Sequence, residues 1–228
     1  MNNLILIKKN YITYLLFDWP DRFFRLVRHF VAVIFKSVSN PFPSKGVGKW
    51  FFDFFFYLGD ALLLPEFYRL LSGAFYCNLR SMTDRELFLA RTIFGDTIDY
   101  KRVRINSKAR LISAKYAEAY VTFNTIHYHN KIRDAVFIHE MTHIWQYQRF
   151  GSIYISKALQ AQKSTEGYDF GGVEGLYNAL TTGKKLTEFN FEQQAEIIEA
   201  FFSSFEQWDN LSLMHKSTLD YYYQQLYS

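Results

Sequence analysis

The chain has 228 residues, 49% of them hydrophobic and 20% aromatic, which is enough for a sizeable core and too apolar for general disorder. Its single cysteine, Cys77, excludes an internal disulfide and leaves no thiolate cluster for a metal, so any metal must be held by His and carboxylate. The formal charge of +4 is uneven: residues 1–49 carry eight Lys or Arg against two Asp, the remainder is slightly acidic, and no motif for binding nucleic acid accompanies the basic part.

Residues 1–7 are too short for the apolar region of a cleavable signal peptide, and Lys8 and Lys9 follow that stretch instead of preceding it. Export by cleavage is not expected. Across residues 22–38, Arg22, Arg25, His29 and Lys36 share one helical stripe, while Phe24, Val27, Val31, Ile34 and Phe35 fall largely elsewhere, the pattern of a basic amphipathic helix. Residues 50–64 are more apolar, yet they include Asp53 and Asp60 and run into Pro65. A spanning helix needs about 20 apolar residues, and each central Asp costs roughly 2.5–3.5 kcal/mol, so a clean transmembrane helix is not supported. Residues 1–80 read as a hydrophobic, basic, helical extension with two readings open. One is membrane contact, with the N-terminus on the cytoplasmic side and the rest of the chain beyond it; the other is a set of helices docked on the core of a cytoplasmic protein.

Residues 81–228 read as one α+β domain. Thr83 and Glu86 form a capping box, the helix continues through Leu87, Ala90 and Ile93, and Gly95 ends it. β-branched and aromatic residues place strands at 100–105 and 120–124. A helix is expected over 134–150, closed by Gly151, and another over 192–205.

The 134–150 helix contains His139-Glu140-Met141-Thr142-His143, an H-E-x-x-H motif. Residues four apart lie on one helical face, so both imidazoles reach one ion, and Glu140 beside them is placed to take a proton from a water on it. Ala135, Ile138, Met141, Ile144 and Trp145 maintain an apolar period independently of the motif. Zinc in a catalytic site takes three protein ligands and leaves a fourth position open. Residues 144–149 offer no His or Asp, which excludes the metzincin spacing. Among the downstream acids Glu192, Glu196 and Glu199 share a helical face, and Glu192 is assigned as third ligand. Glu196 is assigned as the acid that accepts the free N–H of a ligating histidine. A solvated acidic face is the bland alternative. Gln146, one turn after His143, is within reach of a ligand or of backbone.

With these residues in place the chain resembles the gluzincins. More narrowly, residues 139–146, Tyr168-Asp169-Phe170 and residues 191–197 are similar to small metallopeptidases of contractile injection systems, above all the type VI secretion-associated peptidoglycan endopeptidases. The resemblance spans about Met82 to Phe205 and leaves residues 1–80 outside it; where the gluzincin pattern has aspartate after the third ligand, this chain has Glu196. It implies a zincin-like fold: a small mixed sheet, an active-site helix and a second ligand helix. It also implies a Zn²⁺ cofactor and hydrolysis of an amide bond in a peptide or in the peptide part of peptidoglycan, with secretion-system components as partners. A membrane-held N-terminus with a periplasmic catalytic domain suits that role. An edge strand at 120–124 would align the substrate, and Tyr168 is the first candidate for a second oxyanion donor, with His127 and His129 as others. Two competing readings are a non-catalytic assembly module that keeps the fold, and a delivered protease toxin.

Overall fold

The computed structural model describes residues 18–32, 44–75, 79–109 and 118–228; residues 1–7, Lys36 and Cys77 lie outside the described residues. Helix α1 covers residues 18–32, followed by α2 (Ser44–Ala61) and α3 (Leu64–Phe75). α1 and α2 run antiparallel: Trp19 Nε1 donates to Ala61 O at one end, and the His29 ring stacks on Trp50 at 4.9 Å at the other. Among the described residues no helix is long and apolar enough to cross a membrane.

Strand β1 (Leu79–Arg80) precedes α4 (Asp84–Phe94), which begins with the expected capping box between Thr83 and Glu86. The strand expected at 100–105 is only partly present. Asp99 accepts from Lys101 N and the Tyr100 hydroxyl donates to Gly95 O, which winds Tyr100–Arg102 into a 3₁₀ turn and confines β2 to Arg104–Asn106. β3 (Ala119–Thr122) and β4 (Thr125–Tyr128) form a hairpin around Phe123 and Asn124, with Phe123 left-handed at φ 56°. The strand expected over 120–124 therefore stops short, because two of its residues make the turn. The order is β1-β2-β4-β3, parallel only between β2 and β4, so the sheet is mixed and β3 lies at its edge.

Five further helices complete the chain: α5 (Asp134–Phe150), α6 (Ile153–Gln162), α7 (Gly172–Thr181), α8 (Phe191–Ser203) and α9 (Leu213–Gln224). α6, α7 and α9 have no counterpart in the sequence reading. The core joins the sheet to α4, α5, α8 and α9 through residues such as Phe94, Ile105, Ile126, Ile138, Ile197 and Tyr222. The architecture is mixed α+β, mostly helical with one small sheet.

The two aspartates that make residues 50–64 a poor spanning segment have docking roles. Asp60 accepts from both the backbone N–H and the hydroxyl of Ser152, at the start of α6, although burial raises its pKa. Asp53 accepts from Ser156 Oγ, Lys157 Nζ and Gln160 Nε2 further along the same helix. Gly151 is required between α5 and α6 on two counts: its φ is 79°, and a Cβ there would collide with the Asp60 carboxylate.

Candidate metal centre

Every residue of α5 from Phe137 to Tyr147 is buried, so the helix has no solvated face. One side satisfies this with Ile138, Met141, Ile144 and Trp145; the other buries His139, Glu140, His143 and Gln146. Burying four polar groups on one stripe is unfavourable unless each finds a partner or a ligand.

Those partners come chiefly from α8. Glu192 Oε2 lies 3.5 Å from His139 Nε2 and 3.4 Å from His143 Nε2, and the ligand atoms of these three buried residues lie within 4.8 Å of one another. Two donors about 2.0–2.1 Å from a tetrahedral zinc ion lie about 3.4 Å apart, so both histidine–Glu192 separations fit zinc, as does the chemistry of the three donors. The far nitrogen of each imidazole is also engaged. His143 Nδ1 is 2.8 Å from Gln146 Oε1, an acceptor, so Nδ1 donates there and Nε2, which faces Glu192, is the nitrogen that a metal would take once its proton is displaced. Gln146 Nε2 donates in turn to Phe191 O and Gln194 Oε1, so this amide meets both a histidine and backbone. Gln162 Nε2 donates to Glu192 Oε1 at 2.7 Å, which orients the carboxylate.

At His139 the sequence assignment needs correcting. Its Nδ1 bonds to Glu199 Oε2 at 3.1 Å, whereas Glu196 Oε1 is 3.5 Å away. Helical geometry explains the choice: seven residues on from Glu192 returns to within about 20° of the same direction, and four residues on is about 40° away. The i+7 spacing was visible in the sequence; Gln162 and Gln194 carried no comparable signal. Glu199→Gln is expected to weaken zinc binding about 10–100-fold, measured against a chromogenic chelator, with a smaller effect for Glu196→Gln. A weaker-binding Glu196 variant would return the role to that residue.

Electrostatics single out Glu192 as a collector of positive charge. Burial opposes its ionisation, yet hydrogen bonds from His139 and His143 outweigh this and bring its pKa down to about 2. Burial likewise opposes charge on His139, but bonds to Glu192 and Glu199 hold its pKa at about 10, and His143 is held above its usual value by Glu192. Glu140 makes no hydrogen bond to another described residue, and burial raises its pKa, partly offset by the two imidazoles.

The cluster opens into a groove of about 310 Å³ walled by β3 and α6, with Tyr168 at its margin. Tyr168 is 45% exposed with its ring centroid 6.4 Å from that of His139, so its phenol borders the site. Tyr154, absent from the sequence reading, is buried in the groove wall; its hydroxyl donates to Val121 O and accepts from Phe123 N, which fixes β3 against α6. His127 and His129 do not line the groove. His127 is paired with Tyr120 across the hairpin and stacks on it at 4.6 Å, on the sheet face away from the Ile126 and Tyr128 side chains, and burial lowers its pKa to about 4. His129 is exposed.

Among known proteins, the chain is similar to the type VI secretion system spike protein VgrG2b of Pseudomonas aeruginosa strain PAO1, with 28% identity over 135 residues. The match covers 54% of this chain and 13% of that protein, so the chain spans a small part of its relative's length. No described protein family matches the chain. No solved structure matches it either.

Proposed function

We propose that the chain is a zinc-dependent peptidase with a zincin-like fold that works with a type VI secretion system. The observation that carries the peptidase reading is the convergence of His139 Nε2 and His143 Nε2 on one oxygen of Glu192, with Glu140 beside them in the same groove. The link to secretion rests on the partial similarity to a spike protein. All the side chains invoked belong to residues 81–228, with residues 1–80 as an extension.

His139, His143 and Glu192 would hold the zinc, which when bound supplies Lewis acidity for the scissile carbonyl and a water that is nucleophilic near neutral pH. Glu140 accepts the proton of the attacking water and passes it to the leaving amine. Tyr168 stands at the groove margin as a hydrogen-bond donor for charge developing on the carbonyl oxygen. The two-residue hairpin loop makes Thr122 a hydrogen-bonded partner of Thr125, so the peptide groups of Ala119 and Val121 point to the open edge of β3. Tyr154 already occupies Val121 O. The remaining edge groups would pair with an extended peptide laid along the groove. Glu140 also weighs against a purely structural metal site, which has no use for a buried carboxylate that bonds to no other described residue.

The substrate proposed is the peptide part of peptidoglycan. Purified protein incubated with peptidoglycan and with casein, with and without a chelator, is expected to release stem-peptide fragments cut at an amide bond, and the chelator to abolish their release. Absence of cleavage of either substrate by zinc-loaded protein would remove the enzyme reading. Cleavage of casein alone would remove the wall substrate.

A further inference from the structure

α1 carries part of its positive charge inward. Arg22, Arg25 and His29 recur at three- and four-residue steps, so they share one stripe of the helix. That stripe meets the body of the molecule: Arg22 forms a bidentate pair with Glu66, and Arg25 lies beside Gly151, where a Cβ would be 3.1 Å from its Nη2. Enclosing a cation costs free energy unless an acceptor meets it. Arg22 has its acceptor, whereas Arg25 Nε is buried without one among the described residues.

Neither Arg25 nor Arg28, one turn further on, forms a hydrogen bond or ion pair with another described residue. No undescribed carboxylate is left to supply one, because residues 1–17, 33–43, 76–78 and 110–117 contain no Asp or Glu. Asp60 lies close to Arg25 but accepts from the backbone and hydroxyl of Ser152, and Asp53 accepts from Ser156, Lys157 and Gln160. Two guanidinium groups on one helical face therefore lack a counter-ion.

Both line a cavity of about 510 Å³ bordered by α1, α2, α5, α6 and the start of α8. Arg149 and Lys157 line it too, and among its described lining residues there is no Asp or Glu. Lys157 is paired with Asp53, and Arg149 donates to Ser228 O, so the charge still unmatched is that of the α1 arginines. The rest of the wall is largely apolar and aromatic, with Tyr57, Phe150, Ile153 and Phe191. The Tyr57 hydroxyl bonds to no described residue and is a further donor at this wall. None of these residues lines the groove that holds His139 and His143.

The unmatched charge and the aromatic wall together define the ligand. A phosphate ester brings three acceptor oxygens and nearly two negative charges to a pair of guanidinium forks. Its organic part gives the aromatic rings something to cover, which a bare inorganic ion does not. The volume falls within the about 300–1,000 Å³ of small-molecule sites. We propose that this cavity binds a small organic phosphate, with the phosphate on Arg25 and Arg28 and the organic part against the Tyr57, Phe150 and Phe191 rings. This does not rest on the peptidase reading.

The test is calorimetric titration of the full chain with AMP, inorganic phosphate and adenosine. AMP is expected to bind at one site about tenfold or more tighter than either of the others, since only it offers both a phosphate and a ring to stack. Arg25→Gln combined with Arg28→Gln should weaken AMP binding about tenfold or more with an unchanged circular dichroism spectrum. Should that variant fail to fold, Arg28→Gln alone reads the same site, because Arg28 is exposed and bonds to no described residue. AMP that does not bind at millimolar concentration, or that binds the arginine variants as it binds wild type, would overturn the proposal. So would equal affinity for AMP and inorganic phosphate, which would mark an adventitious ion only.

Discussion

Glu140→Gln is expected to lower kcat by about 10³-fold and leave zinc content unchanged. The substitution keeps the shape of a buried side chain that makes no hydrogen bond to another described residue, so no protein group loses its partner. His139, His143 and Glu192, which define the metal geometry, are untouched. What disappears is the acceptor for the water's proton, so the loss should fall on kcat with little change in KM. Stability gives an independent check with a definite sign. Burial raises the pKa of Glu140, so the folded protein holds that proton more tightly than the unfolded chain. Such a group favours folding in acid and opposes it once ionised, so above the raised pKa the Gln variant should unfold no earlier than wild type. Activity within about tenfold of wild type would leave the proposed reaction without its base.

The parts of the site that could be read from sequence are those set by helical spacing. His139 and His143 are four residues apart on a helix whose apolar period is independent of them, and Glu192 begins an acidic face of the right length. The choice between Glu196 and Glu199 depends on how α8 is rotated against α5, a packing property that no local pattern in α8 contains. The strand expected at 100–105 was diverted by Asp99, whose short side chain captures Lys101 N and favours a turn over a ladder. β4 carries no strand signature in the sequence because Thr125, Ile126, His127 and Tyr128 are all buried, so the alternation that marks a half-exposed strand is missing. Residues 50–64 were ambiguous for a deeper reason. Their composition is that of either a membrane segment or a core helix, and only the burial of Asp53 and Asp60 reveals which face of α2 meets the protein.

Glu192→Ala is expected to weaken zinc binding by far more than the about 10–100-fold that follows loss of an outer partner such as Glu199. Glu188→Ala is expected to have no such effect, because the Glu188 carboxylate accepts from Lys185 N in a local turn. Lower zinc content alone would not distinguish a lost ligand from a loosened fold, but pH dependence does. With no metal bound, Glu192 holds both imidazoles above their usual pKa, His139 at about 10, so a cation entering at neutral pH must displace protons. Wild-type affinity should then fall on acidification by about tenfold per pH unit for each proton displaced. In the Glu192 variant both imidazoles lose a partner that raises their pKa and burial pulls them down, so fewer protons compete and the dependence flattens. A loosened fold would weaken binding without flattening that slope. Calorimetric titrations with zinc at several pH values separate the two, and a variant as steep as wild type would show that Glu192 is not what gathers positive charge at this site.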